Sequence, residues 1–204
     1  MSRHPKHATP DHEILPAIGE RWSPRAFDPG RDVSRADLLR LFEAARWAPS
    51  SFNEQPWRFV VTGPRTSPEP HARLLASLMG SNQAWATHAP VLVLTAVAAT
   101  LARSGEQNEH AWYDMGQAVA QMIVQATSMG ISVRQMQGFD RDQARAACQV
   151  PATFDPVVVI AIGYAGDPDA LASEKHRAQE RQPRLRRALT DFVFDGIWEG
   201  NPFR

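Results

Sequence analysis

The sequence is short of the residues on which several kinds of protein are built. It has one cysteine, Cys148, which excludes an intramolecular disulfide framework and any cysteine-rich metal cluster. Its 12 glycines fall in neither G-x-G-x-x-G nor Walker spacing, so no glycine-rich phosphate loop is expected. No G-x-S-x-G elbow is present, and the 7 histidines show no H-E-x-x-H or other tight ligand spacing, so no metal is expected. Neither sign of charge is in surplus: Lys plus Arg is 22 and Asp plus Glu is 22. That balance argues against nucleic acid or an anionic membrane as partner. The longest uncharged stretch, 89–102, is shorter than the roughly 20 residues a membrane helix needs. Residues 1–13 are polar, carry His4, His7 and His12, and lack the apolar segment of a secretory signal. A cytoplasmic protein is expected, with residues 1–12 as a disordered arm.

What remains is globular material. The 204 residues are 43% hydrophobic and 22% charged, and a chain of this length buries roughly 70% of its unfolded surface. Ser34 followed by Asp37, Leu38, Leu41, Phe42 and Ala45 predicts an N-capped amphipathic helix that Pro49 stops. A polar loop at 50–56 leads into a strand at 57–61, and a helix follows over 68–79. The apolar run 91–97 predicts a buried strand. Trp112, Met115, Val119, Met122, Ile123 and Ala126 predict a central core helix over 107–129, closed by Gly130. Strands at 131–136 and 157–162 flank a short helix at 141–148, with Cys148 as a buried structural thiol. A loop covers 163–174. The tail over 175–187 is basic, with Glu180 its one acid. There is no repeat, and the pattern describes one helix-rich α+β domain.

Two polar clusters interrupt it. Arg21-Trp-Ser-Pro-Arg25 holds two guanidinium groups and a hydroxyl within five residues. It reads either as a solvated helix end or as an anion clamp, since guanidinium binds phosphate bidentately. Ala48-Pro-Ser-Ser-Phe-Asn-Glu-Gln-Pro-Trp57 is a rigid polar loop suited to binding, although a plain connection has the same composition.

These segments resemble the two N-terminal signatures of the FMN-dependent nitroreductase family. The likeness continues through Asn82-x-x-Trp85, Ala89-Pro90 and a long Met- and Gln-rich helix. It extends to Gln137-Gly138-Phe139, Ile162-Gly-Tyr164, Arg186-Arg187-x-Leu189 and Trp198. The resemblance implies a three-layer α/β/α fold with a mostly antiparallel central sheet and a long central helix. It further implies a domain-exchanged homodimer whose segment 164–204 embraces the partner. Arg21, Trp22, Ser23 and Arg25 would then bind FMN at its phosphate, ribityl chain or N1/O2 edge. Pro49, Ser50, Ser51 and Asn53 would reach flavin bound mainly to the other subunit. Asn82 would meet the pyrimidine edge, the backbone of Gln137 and Gly138 would approach N5, and Arg186 would meet the phosphate, with Arg187 or Arg184 as alternatives. The implied reaction moves hydride from NADH or NADPH through flavin N5 to a nitroaromatic or quinone, with ping-pong kinetics.

Three positions depart from the family pattern. Trp22 stands where a basic residue is common, Trp85 where some members have lysine, and Gln137 where an acid is common. Phe52, Trp85 and Tyr113 are expected in the acceptor pocket, with Trp112 in the core. Enone reduction, dehalogenation and non-catalytic flavin binding stay open as alternatives.

Overall fold

Strand β2 (Val91–Ala98) is apolar apart from Thr95, and only Ala98 among its residues is not fully buried. Thr95 is satisfied inside the sheet: its hydroxyl donates to the Val158 carbonyl at 3.0 Å and accepts from the Val158 amide at 3.1 Å. A strand without a polar face must be covered on both sides, and that requirement shapes the molecule. In the computed structural model, which describes residues 4–200, β2 lies inside a sheet with β1 (Trp57–Thr62), β4 (Phe154–Gly163) and β3 (Ser132–Met136). The order is β1-β2-β4-β3, and all three pairings are antiparallel.

Alternation along the strands then splits the core in two. Val91, Val93, Val97, Val133, Ile160 and Ile162 face α2 (Arg35–Arg46) and the long α5 (Ala111–Ser128). Leu92, Leu94, Met136, Val159 and Ala161 face α3 (Pro68–Ala76), α4 (Gly80–Ala86) and α6 (Arg141–Ala147). The result is the expected three-layer α/β/α arrangement, an α+β fold.

Local signals account for most element ends. The Ser34 hydroxyl accepts from the Asp37 amide at 3.0 Å and caps α2. Gly130, at φ 69°, closes α5. The start of α5 lies four residues later than expected, because Leu101 and Asn108 are tied into a turn through Glu106 and Ala99. Helices α4 and α7 (Glu174–Arg181) were not expected from the sequence pattern. Two tryptophans also differ from expectation. The buried stripe of α5 runs as expected through Met115, Val119, Met122, Ile123 and Ala126, with Ala111 and Ala118 added, but Trp112 falls at its edge and is 46% exposed. Trp85, expected in an acceptor pocket, is 1% exposed, a core residue stacked on Phe27 at 6.2 Å.

A backbone clamp holds the chain around Arg25 against the end of β4. The Asp28 amide donates to the Tyr164 carbonyl at 2.9 Å, and the Gly166 amide donates to the Ala26 carbonyl at 2.8 Å. A Cβ on Gly166 would lie 2.6 Å from the carbonyl carbon of Phe27, and backbone cannot yield there as a side-chain tip can. Gly166→Ala is therefore expected to destabilise by about 1–3 kcal/mol through overpacking, read as a lowered midpoint in chemical denaturation.

Cys148, expected to be buried, is half-buried at the end of α6, and that partial burial pushes its thiol up from 9.0 to about 11. The folded protein holds this proton more tightly than the unfolded chain. The thiol's contribution to stability is therefore present below pH 9.0 and is lost as pH rises toward about 11. At pH 8, Cys148 should react with a disulfide reagent far more slowly than in denaturant; equal rates would contradict the assignment.

Candidate functional site

Helix α1 (Pro16–Glu20) ends at Arg21, and the chain runs extended from there to the clamp at Asp28. Beneath it opens a pocket of about 340 Å³, whose wall holds Lys6, Arg21, Arg25, Arg134 and Arg184 but only one acid, Glu180. The Arg21 guanidinium donates to the Ser23 hydroxyl at 2.9 Å. Arg134 donates to the Ser23 carbonyl, and Lys6 donates to the Gln179 carbonyl. Arg184 donates to the carbonyls of Lys6 and Gly19, both at 2.6 Å. Trp22 also lines the pocket, and His4 stacks on it at 5.1 Å. Residues 4–8, within the segment expected to be a disordered arm, thus contact the pocket wall.

Glu180 is what allows Arg25 to sit here. Its carboxylate, 2% exposed, accepts from the amides of Arg25 at 3.1 Å and Ala26 at 3.4 Å and pairs with the Arg25 guanidinium at 3.8 Å. Among the described residues the other cations of the wall form no ion pair. Burial, then repulsion from Arg186, lowers the proton affinity of Arg21. Burial, then Arg21 and Arg186, does the same to Arg184. Arg134 is pushed down to about 10, by burial first and then by Arg25, and is still charged at neutral pH. Its Nε is buried and has no hydrogen-bond partner among the described residues. Clustered, desolvated cations with an orphaned donor form a site that an anionic ligand would stabilise.

The tail arginines divide. Arg184 is in the wall; Arg186 is near enough to repel Arg21 and Arg184, with its guanidinium donating to the Leu185 carbonyl at 2.8 Å. Arg187 is exposed.

A second polar patch lies where the chain leaves β3. The Gly138 carbonyl accepts from the Met79 amide at 2.9 Å and from the Asn82 side chain at 3.3 Å. A Cβ at Gly138 would meet Met79 Sδ at 3.0 Å and Asn82 Nδ2 at 3.1 Å, so the close approach favours glycine. Gln137 beside it is exposed.

The third patch is the loop of Pro49, Ser50, Ser51, Phe52 and Asn53. Phe52, Asn53 and Gln55 adopt positive φ of 51°, 58° and 47°, conformations that non-glycine residues keep only where their surroundings hold them. The Ser51 amide donates to Asp114 at 3.1 Å, and the Gln55 amide donates to the Ser50 hydroxyl at 3.1 Å. Phe52 and Tyr113 are 74% and 71% exposed, with the Arg103 guanidinium 4.0 Å from the Phe52 ring centre. Among the described residues, no hydrogen bond or ion pair joins this loop to the arginine pocket.

The family model described as "Nitroreductase family" matches residues 18–81 and 64–164, which take in the Gly138 and Ser50 patches and, of the arginine pocket, Arg21, Arg25 and Arg134, but not Lys6, Glu180 or Arg184. The chain belongs to the nitroreductase family. A solved structure described as "The crystal structure of the oxidoreductase containing FMN" superposes with a TM-score of 0.86 and 29% identity, covering 98% of this chain and all of that one. Protein DrgA of Synechocystis is 28% identical over 200 residues, covering 84% of this chain and 92% of its own. The Major NAD(P)H-flavin oxidoreductase of Aliivibrio fischeri is 42% identical over 50 residues, 24% of this chain and 23% of that protein.

Within this nitroreductase-family fold, sequence reasoning passed over three wall residues, Lys6, Arg134 and Glu180, and named Arg184 only as an alternative to Arg186, although it is Arg184 that lines the pocket. Arg134 left a signal. It shares a strand face with Met136, whose side chain enters the core, so a cation there points inward. Glu180 left none, because nothing in a basic tail marks its one acid as buried. Glu180→Ala should cost about 3 kcal/mol or more, as breaking a buried pair leaves a charge and two amides unanswered. Glu180→Gln, which keeps an acceptor for the amides, should cost less; equal losses in urea denaturation would contradict the clamp.

Proposed function

We propose that this nitroreductase-family chain is an FMN-dependent oxidoreductase that uses NADH or NADPH to reduce a small electron-poor acceptor such as a nitroaromatic or quinone. The observation that carries the reading is the pocket of five cations and one carboxylate, with a buried guanidinium nitrogen that has no partner among the described residues. Those residues fit a phosphorylated, anionic cofactor. The turn at Gly138, packed on Met79 and held by Asn82 with Gln137 exposed beside it, would present backbone to the edge of a flat ring. The similar solved structure is of an oxidoreductase containing FMN, and the Aliivibrio relative is named for NAD(P)H and flavin; both support the same choice.

Bound here, FMN would supply a two-electron carrier between reduced nicotinamide and the acceptor. Arg21, Arg25, Lys6 and Arg184 would hold the phosphate end, with Arg186 adding to the local potential, Arg187 beyond it, and the Ser23 hydroxyl and Trp22 shaping the wall. Asn82 would orient the ring edge, and the backbone at Gln137 and Gly138 would face N5. No side-chain acid or nucleophile is required, because the transferred hydride comes from the cofactor pair. Donor and acceptor use one place in turn, which gives ping-pong kinetics.

The working unit in this reading is a homodimer. Pro49, Ser50, Ser51 and Asn53 complete the partner's flavin site, and Phe52 in the same loop and Tyr113 at the start of α5, both exposed, line the acceptor side. Of the segment 164–204 expected to embrace the partner, residues 164–184 are held on their own chain through Tyr164, Gly166, Glu180 and Arg184, and 201–204 lie outside the described residues. The stretch 185–200 would reach the partner, which accounts for the exposure of Leu185, Ile197 and Trp198 at 83%, 75% and 82%. A protein drawing on reduced nicotinamide belongs in the cytoplasm.

The purified protein should carry flavin absorbance, or acquire it with added FMN, and should bleach anaerobically when NADH or NADPH is added. Arg21→Ala and Arg25→Ala should each weaken FMN binding by roughly 10- to 150-fold, the equivalent of about 1.5–3 kcal/mol for a hydrogen bond to a charged group. A colourless protein that takes up no FMN, or two variants with unchanged affinity, would overturn the reading. Binding without bleaching would leave a flavin carrier in place of an enzyme.

A further inference from the structure

We infer that Arg134 balances the negative charge of reduced FMN at the pyrimidine edge of its ring, and thereby sets the reduction potential. The inference rests on the flavin reading of the pocket and assigns a role to a residue which that reading leaves without one.

The wall cations are not equivalent. Arg25 has Glu180, Arg21 has the Ser23 hydroxyl, and Arg184 has two carbonyls. Arg134 forms no ion pair among the described residues. It donates once, to the Ser23 carbonyl, and its Nε is shut away from water without an acceptor. Its guanidinium lies over the Trp85 ring at 5.2 Å, and Trp85 is itself wedged against Phe27. A planar cation held on a buried aromatic face is aimed before any ligand arrives.

Its place in the fold separates it from the phosphate end. Strand β3 and helix α4 approach each other at two rungs. In one, Asn82 reaches the Gly138 carbonyl; in the other, Arg134 lies on Trp85. Asn82 and Trp85 are three apart on one helix face, and Arg134 and Gly138 are four apart along the same chain direction. Arg134 is therefore the cation one rung from the Gly138 turn. Lys6 and Arg184 are instead tied to the 6–19 and 179 segments: Lys6 donates to the Gln179 carbonyl, and Arg184 to the carbonyls of Lys6 and Gly19. The charged and titratable groups facing Arg134 are Arg25, Glu180, Lys6 and His176, and Glu180 is already held by Arg25.

Hydride brings two electrons and one proton to N5. The ring, neutral when oxidised, then carries a negative charge spread over N1 and O2 unless a second proton binds. A fixed guanidinium beside that edge favours the reduced ring over the oxidised one. Each tenfold preference raises a two-electron potential by about 30 mV.

The test compares Arg134→Gln and Arg134→Lys with wild-type holoprotein by dye-equilibrated reduction potential, together with FMN and riboflavin affinities of the oxidised forms. Arg134→Gln should lower the potential by about 30 mV or more, a tenfold loss of preference for reduced flavin. Arg134→Lys should recover most of it, and riboflavin should be affected as FMN is. An unchanged potential in Arg134→Gln overturns the assignment, as does a loss of affinity confined to FMN, which would place Arg134 on the phosphate. If neither variant folds, the wild type decides. Its potential should fall by about 30 mV per pH unit from pH 5.5 to 8, one proton per two electrons, and about 60 mV per unit would overturn the proposal. Wild-type protein that binds no flavin overturns the pocket reading and this one together. A flavin-loaded protein indifferent to Arg134 overturns this one alone.

Discussion

Everything in this molecule is arranged around a strand that cannot face water. β2 is buried on both sides, so helices must lie above and below it, and the chain has to pass repeatedly around the ends of the sheet. Those passages produce the polar patches. The 21–28 segment is pinned by β4's exit, Gly138 marks β3's exit, and the Ser50 loop joins α2 to β1. Functional groups collect on loops because the layers leave no other place for unsatisfied backbone.

The arginine pocket illustrates how a fold tolerates concentrated like charge. Glu180 binds backbone and guanidinium at once, so one carboxylate both fixes the 25–26 segment and offsets one cation. The remaining cations lean on carbonyls, a hydroxyl and an aromatic face, partners that hold direction but do not cancel charge. A binding site is poised when its groups are oriented but not neutralised, and here that division is visible residue by residue.

How much of this could be read from the chain depended on whether a signal was local. The Ser34 cap, the apolar run of β2 and the stripe of α5 are local, and each appears where expected. Helix α7 was invisible because its buried residue is a glutamate in a segment with Ala178 as its only apolar side chain, so no hydrophobic period exists to find. Trp112 misled for the opposite reason: it fits the helical spacing yet falls at the edge of the buried stripe. The two signature clusters were legible as motifs, but the partners that complete the pocket were not. Lys6, Arg134 and Glu180 come from distant parts of the sequence, and only folding brings them to Arg25.

That distance has a consequence of its own. The Arg184 guanidinium is bonded to the Lys6 carbonyl across 178 positions of sequence, so the pocket is also the place where the two ends of the chain are fastened. An anion bound among Lys6, Arg21 and Arg184 would draw on both ends at once, closing almost the whole polypeptide into a ring. Closing a long loop is the work a disulfide does in an oxidising environment, by restricting the unfolded chain. A protein with a single cysteine has no such covalent option. Its two ends can instead be joined by a ligand, a cross-link that arrives with the cofactor and departs with it.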